Sequence, residues 1–267
     1  MAKTVLVTGA SSGFGKETAK LFHMKGWNVI ATMRSSGKDM ELPQQDNILV
    51  FPLDVTDKES ITNAVEKGVG KFGTIDVLVN NAGYGLMGVF EAATEAQIQR
   101  QYDVNVFGAM RVTKAVLPFM RKNRSGIIIN ISSFGGVTAG QFASLYNSSK
   151  FALEGFSEAL SHELAFLNIA VKVIEPGSVA TNFRSGMEMI KNEIEDYNAE
   201  LATFIPRYTR RTEHLRKATP EEVAETIYHA ATDSVLKLRY AVGDDARFYI
   251  DLKTKNSEEY YLKAMRD

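Results

Sequence analysis

Thr4-Val5-Leu6-Val7-Thr8 runs directly into Gly9-Ala10-Ser11-Ser12-Gly13-Phe14-Gly15, and Ala19, Leu21, Phe22 and Met24 then continue as a helix closed by Gly26. The short β-branched run reads as a buried strand. Strand, glycine-rich turn and helix in that order form the unit a phosphate-binding loop needs. Glycines allow a tight turn and close backbone approach, and the following helix N-terminus favours an anion. The spacing is Gly-x-x-x-Gly-x-Gly rather than the commoner Gly-x-Gly-x-x-Gly. A structural turn would also use glycine, but the position between first strand and first helix favours a binding role.

The alternation repeats along the chain. Val29–Met33 and Ile48–Phe51 read as the next strands, too close together for more than a turn or two of helix. Thr56-Asp57 opens a helix to about Phe72, and Val77–Asn80 is a fourth strand leading into Asn81-Ala82-Gly83. Thr94 and Gln97 form a capping box at the head of a long helix ending around Pro118 to Arg121. Ile127–Ile131 is the fifth strand, a helix runs from near Tyr146 to about Leu167, and Ala170–Ile174 is the sixth strand, broken by Pro176-Gly177. Thr219-Pro220-Glu221-Glu222 is a strong helix start, and Arg239–Val242 is the last strand. Residues from about 182 to 217 form one irregular insertion, where Met187, Met189, Ile190 and Ile194 suggest a helix. The tail from Phe248 is polar and receives no element. Strands alternating with helices predict an α/β fold: a single-domain, doubly wound parallel sheet of the Rossmann type over residues 1–267, helices on both faces.

Composition removes several classes. Hydrophobic residues at 45 % supply a large core and argue against disorder. A net charge of −1 gives no broad electrostatic case for nucleic acid or an anionic membrane. The absence of cysteine excludes disulfides, thiolate metal sites and a thiol nucleophile, and fits a reducing, cytoplasmic compartment. His23, His162, His214 and His229 make no metal-ligand pair at helical spacing, so no metal is expected. No apolar run is long enough to span a bilayer, and a strand so near Met1 leaves no room for a signal peptide.

The stretch from Asn130 to Lys150 carries the candidate chemistry. Ser133 sits where the fifth strand gives way to a glycine-rich loop, and ligands bind at the carboxyl ends of parallel strands. Tyr146 and Lys150 are four apart and share one helix face. A free tyrosine has a pKa of about 10. A lysine ammonium at ~4 Å contributes roughly 4 kcal/mol at an effective dielectric of ~20, or about three pKa units before desolvation is subtracted. A tyrosine so placed titrates near neutrality, where acid–base catalysis is most efficient. Ser133 would hold the substrate oxygen. Tyr-x-x-x-Lys alone equally describes a surface pair on an amphipathic helix; the rest of the chain decides.

Thr8-Gly9-x-x-x-Gly13-x-Gly15, Asn80-Asn81-Ala82-Gly83, Ser133, Tyr146-x-x-x-Lys150 and Pro176-Gly177-x-x-x-Thr181 follow one another in order. Over nearly its whole length the chain resembles the classical short-chain dehydrogenase/reductases. The resemblance implies binding of NAD(H) or NADP(H) and hydride transfer between the nicotinamide and a carbonyl or alcohol. It implies catalytic roles for Asn105, Ser133, Tyr146 and Lys150. Tyr146 would supply the proton, Ser133 would stabilise the developing oxyanion, and Lys150 would lower the Tyr146 pKa and hold the nicotinamide ribose. Asn105 would orient a water linking Lys150 to solvent; alternatively it is a polar residue that kinks its helix. Cofactor contacts are implied at Gly9, Ser11, Ser12, Gly13, Phe14, Gly15, Arg34, Asp54, Val55, Asn81, Ala82, Gly83, Tyr146, Lys150, Pro176, Gly177, Val179 and Thr181. Phe14 departs from the Ile or Leu common at its position, and the segment from Arg34 to Ile48 is shorter than in many relatives.

Cofactor choice is read from the end of the second strand. An acid there bonds the ribose 2′-OH in NAD sites, whereas an arginine accommodates a 2′-phosphate. This chain has Met33 and then Arg34, with Ser35, Ser36 and Lys38 following. NADP(H) is therefore preferred, with NAD(H) possible. A wall drawn from Tyr84, Leu86, Met87, Phe134, Val137, Gln141, Phe142, Phe183 and Met187 is apolar and aromatic, which points to a hydrophobic ketone or secondary alcohol. Helices around Ala109–Met120 and Phe151–Leu167 are apolar on more than one face, which predicts a homo-oligomer, a dimer or more readily a tetramer. A non-catalytic dinucleotide sensor on the same fold is the competing reading; the complete set of four catalytic side chains weighs against it.

Overall fold

Val5 and Val7 of the first strand face one hydrophobic layer, and Leu6 between them faces the other. This period of two on a strand buried along its whole length is what a sheet covered on both sides requires. The computed structural model describes residues 2–34, 45–179 and 187–266. Among these the strands are β1 (Thr4–Thr8), β2 (Asn28–Met33), β3 (Ile48–Pro52), β4 (Val77–Asn80), β5 (Leu86–Met87), β6 (Gly126–Ile131), β7 (Ile169–Pro176), β8 (Glu188–Met189) and β9 (Arg239–Val242). Seven of them form one parallel sheet in the order β3-β2-β1-β4-β6-β7-β9. The order reverses between β1 and β4, so a crevice opens there above the strand ends.

The α-helices are α1 (Gly13–Met24), α2 (Lys58–Phe72), α3 (Glu95–Tyr102), α4 (Ala109–Asn123), α5 (Ser144–Leu164), α6 (Asn198–Thr212), α7 (Pro220–Thr232), α8 (Asp244–Thr254) and α9 (Glu258–Arg266). One face of the sheet is covered by α1 and α7, through Ala19, Phe22, Val223 and Ile227. The other is covered by α2, α4 and α5, through Ile61, Val65, Val112, Val116, Leu160 and Leu164. Capping boxes start α3 at Thr94 and α7 at Thr219, as their sequences predict.

Three expectations need correction. The long helix after Thr94 is split: between α3 and α4 the chain makes a π turn over Asp103–Gly108. The helix expected around Met187–Ile194 is instead β8, paired in parallel with β5. Met189 is exposed and Ile190 buried, an alternation of two rather than 3.6. The helix of this insertion lies further on, as α6, and continues through Pro206. The polar tail folds as α8 and α9. Neither has a wide apolar stripe; Tyr249 and Tyr261 are their large buried anchors.

Candidate active site

The glycine turn sits at the carboxyl end of β1. Gly9 and Gly13 have φ of 67° and 53°, the left-handed region open to glycine. A Cβ on Gly15 would collide with the Gly9 carbonyl, so glycine there lets α1 begin directly over the turn. Ser12, the N-cap of α1, makes no side-chain capping bond, which leaves the first amides of α1 without a side-chain cap. The turn is fastened from below by the Asn81 segment. Asn81 Nδ2 donates to the carbonyls of Thr8 (2.9 Å) and Gly9 (3.0 Å). Thr8 Oγ1 accepts from the amides of Asn81 and Ala82, both at 3.0 Å. Asn81 thus fastens the glycine turn to the segment that follows β4.

On the rim, Met33 is buried at the end of β2 and Arg34 is exposed beside it. Burial works against ionisation of Asp54, but bonds from the Thr56 amide (2.9 Å) and hydroxyl (2.7 Å), with Arg34 nearby, hold its carboxyl below the usual range. Val55 and Val179 are buried. Ser35, Ser36, Lys38, Thr181 and Phe183 lie outside the described residues.

The structure brings Asn105, Ser133, Tyr146 and Lys150 to one place. A hydrogen bond joins the hydroxyls of Ser133 and Tyr146. Ser133 also accepts from the Gly135 amide at 3.1 Å, which fixes its rotamer. Lys150 Nζ donates to the Ile131 carbonyl at 2.8 Å and lies 5.8 Å from the centre of the Tyr146 ring. A Cβ on Gly83 would stand 3.2 Å from Asn105 Oδ1 and 3.8 Å from Lys150 Nζ, so these groups share one corner.

Asn105 lies inside the π turn, and its side chain does what a helix interior could not. It accepts from the Tyr84 amide (3.0 Å) and donates to the Tyr84 carbonyl (2.9 Å) and Ser149 Oγ (3.2 Å). The kink therefore clamps the strand loop carrying Gly83 and Tyr84 against α5.

The electrostatics differ from the sequence expectation. Burial pushes the Tyr146 phenol up, opposed by its bond to Ser133. The hydroxyl end is crowded by protein although the residue keeps partial exposure. Burial also pushes Lys150 down to about 8, opposed by the charge of Glu154. The Coulomb figure left desolvation to be subtracted; burial acts on both partners and turns the Tyr146 shift upward.

Sequence reasoning missed several supporting residues. Asn147 Nδ2 donates to the Gly135 carbonyl (2.8 Å) and its Oδ1 accepts from Gly140 (3.1 Å), tying down the loop that follows Ser133. Asp245, fully buried at the start of α8, accepts from the Ser178 amide at 2.6 Å, and a Cβ on Gly177 would strike its carboxylate. The loop after Ser133 is further held by Lys253, which donates to the Val137 carbonyl (2.6 Å), and by Tyr249, stacked on Phe134 at 5.1 Å. The glycine-rich loop signalled the need for such clamps, but not their positions.

The expected pocket wall divides. Leu86 is core, in a cluster with Leu145 and Ile190 against which Tyr84 packs. Phe142, in a left-handed conformation at φ 56°, packs edge-on against Phe204 of α6. Gln141 bonds Arg207 and Glu200 of the same helix. A concavity lined by Val89, Phe90, Phe142, Ser144 and Tyr197 opens beside this loop. Among the described residues no group of His, Asp and Glu could hold a metal ion, and no helix is long and apolar enough to cross a membrane.

A doubly wound parallel sheet with a glycine turn at its switch point defines a dinucleotide-binding class of α/β protein. Residues 3–192 match the family model of the short chain dehydrogenases. The chain belongs to that family and is an oxidoreductase of it. It is 40 % identical to an uncharacterized oxidoreductase of Schizosaccharomyces pombe, over 88 % of this chain and 98 % of that protein. It is 42 % identical to a 3-ketodihydrosphingosine reductase of Bacteroides thetaiotaomicron, over 72 % of this chain and 71 % of that protein. A solved short-chain dehydrogenase from Streptomyces avermitilis superposes with a TM-score of 0.84 at 34 % identity, covering 100 % of this chain and 94 % of that one. ElxO, solved with NADP bound, superposes with a TM-score of 0.76 at 28 % identity, covering 90 % and 98 %.

Proposed function

We propose that this protein is an NADP(H)-linked reductase acting between a hydrophobic ketone and the corresponding secondary alcohol. The observation that carries the reading is the joined Ser133–Tyr146 hydroxyl pair with Lys150 one helical turn behind it. The residues present fit a dinucleotide. The glycine turn and the first amides of α1 would take the pyrophosphate, Asp54 and Val55 would flank the adenine, and Arg34 would face the 2′-phosphate. Asn81, Ala82, Gly83, Pro176, Gly177 and Val179 would line the nicotinamide half. When bound, the cofactor supplies or accepts the hydride.

The rest is done by the chain. Tyr146, kept protonated by burial, donates its proton to the carbonyl oxygen during reduction. Ser133 donates a second hydrogen bond to that oxygen as charge develops on it, the oxyanion logic. Charged Lys150 stabilises the tyrosinate left behind and would bond the nicotinamide ribose. Asn105 holds the Gly83–Tyr84 strand loop in place beside Lys150. The wall contributed by Phe142, Phe204 and Tyr208 suits an apolar substituent, and a keto substrate in the name of a relative agrees with this direction.

The test is a panel of aryl and alkyl ketones against charged oxo-acids, with NADPH and NADH, read by nicotinamide absorbance. Turnover of apolar ketones with NADPH is expected. A clear preference for oxo-acids would contradict the substrate class.

A further inference from the structure

The loop over residues 137–142 runs between Ser133 and Tyr146 and ends in a strained residue. Phe142 has φ 56°, a left-handed conformation that a bulky side chain rarely adopts. Such a conformation persists where its surroundings over-determine it. Burial does not do this here: Ala139 and Gly140 at the tip of the loop are exposed, and Phe142 is half-buried. Hydrogen bonds hold the loop instead. The Phe142 carbonyl accepts from the Gly88 amide at 2.7 Å, and the Gly140 amide donates to Asn147 Oδ1 at 3.1 Å.

Further ties come from the C-terminal end of the chain. Tyr261 of α9 is buried, and its hydroxyl accepts from the Ala139 amide at 3.0 Å and donates to the Ala139 carbonyl at 3.4 Å. Lys253 of α8 donates to the Val137 carbonyl at 2.6 Å, and its Nζ lies 5.7 Å from the centre of the Tyr261 ring. The same helix α9 reaches the other side of the apolar wall. Arg211 of α6 donates to the Met265 carbonyl at 3.5 Å, and α6 carries Phe204, whose ring meets Phe142 edge-on at 5.3 Å. One short helix therefore touches both the loop that carries Phe142 and the helix that carries Phe204. This brace lies beyond residue 192, outside the segment that matches the dehydrogenase family.

Resting on the reductase reading above, we propose that Tyr261 is a positioning residue for the substrate: with Lys253 as a second tie, it holds the 137–142 loop so that the Phe142 ring is set against Phe204, and so fixes which apolar substituents the ketone site accepts. The reacting hydroxyls have other supports. Ser133 is fixed by the Gly135 amide, Gly135 in turn by Asn147, and Tyr146 sits on α5. Losing the Tyr261 hydroxyl therefore acts on the fit of the ketone rather than on proton transfer, which is a change in KM rather than in kcat.

The experiment compares wild type, Tyr261→Phe and Tyr260→Phe in the reduction of acetophenone and of acetone with NADPH. Tyr260 is the exposed neighbour and serves as the control. In Tyr261→Phe the KM for acetophenone should rise several-fold, while kcat, the KM for acetone and NADPH binding stay near wild type. Tyr260→Phe should change none of these. Because the effect runs through Phe142, adding Tyr261→Phe to Phe142→Ala should raise the acetophenone KM no further. The proposal is overturned by an unchanged acetophenone KM in Tyr261→Phe, by kcat and NADPH binding falling with it, by the same rise in Tyr260→Phe, or by full additivity with Phe142→Ala. Should Tyr261→Phe not fold, Lys253→Met decides by the same split between KM and kcat, since it cuts the second tie to the loop. If the wild type reduces no ketone, the reductase reading falls, and hydrogen exchange at the Ala139 amide decides the brace by itself. Faster exchange in Tyr261→Phe then supports it, and equal exchange overturns it.

Discussion

Lys150 meets two opposing demands at residue scale. In the proposed reaction it is charged to stabilise a tyrosinate, yet it is buried where charge is costly. Its acidity of about 8 has a direct consequence for rate. Below that pH the ammonium is present, and above it the charge is lost. For ketone reduction, kcat/KM, which reports groups on the free enzyme, should hold steady at neutrality and fall as pH rises through about 8. A profile still rising beyond that point would contradict the role given to Lys150. Cofactor choice also rests on single side chains. Met33 neither bonds a ribose hydroxyl nor repels phosphate, whereas Arg34 offers a permanently charged fork. A charge-assisted bond contributes roughly 1.5–3 kcal/mol, so NADPH should be favoured by on the order of ten- to a hundredfold in kcat/KM. Arg34→Asp should erase or reverse that ratio; equal use of NADH by the wild type would remove the basis for it.

Among the elements, those with strong local signals were legible and those defined by distant partners were not. Thr94 and Thr219 announced their helices because a capping box is a contact between neighbours in sequence. The βα alternation fixed the parallel sheet because strands buried on both faces are continuous apolar runs. A kink at Asn105 was one of two readings of that residue, but its form as a π turn was not legible, since what stabilises it is the backbone of Tyr84, 21 residues earlier. The strand at Glu188–Met189 exists only through its pairing with Leu86–Met87. Asp245 shows the same limit most sharply: nothing near it in the chain signals that it clamps Ser178, 67 residues away. Asp245→Ala should cost about 1–3 kcal/mol, the usual loss when a buried amide is left unpaired, and should disturb the turn that would carry the carboxamide contacts. Chemical denaturation measures the first effect and KM for the cofactor the second. A variant as stable as wild type would show that the turn holds itself.

At the scale of the whole molecule, the seven-stranded sheet places the glycine turn, the Asn81 segment and the Ser133–Lys150 stretch along one edge, at the carboxyl ends of β1, β4 and β6. In the proposed reading, this convergence of three distant segments would let one fold bind an anion and position a proton donor together. The π turn and α5 each carry an exposed aromatic residue, Phe107 at 41 % and Phe151 at 38 %. We expect them to be covered by further copies of the chain, giving a mass of two or four subunits by light scattering; a monomer at micromolar concentration would refute this. The central claim, however, is chemical: Tyr146 is the proton donor of a ketone reductase. Its most direct test is turnover of an apolar ketone by Tyr146→Phe with NADPH, beside cofactor binding measured on the same sample. The account predicts at least a ~10²-fold loss of turnover with binding intact. Near-normal turnover by the Phe variant would contradict it.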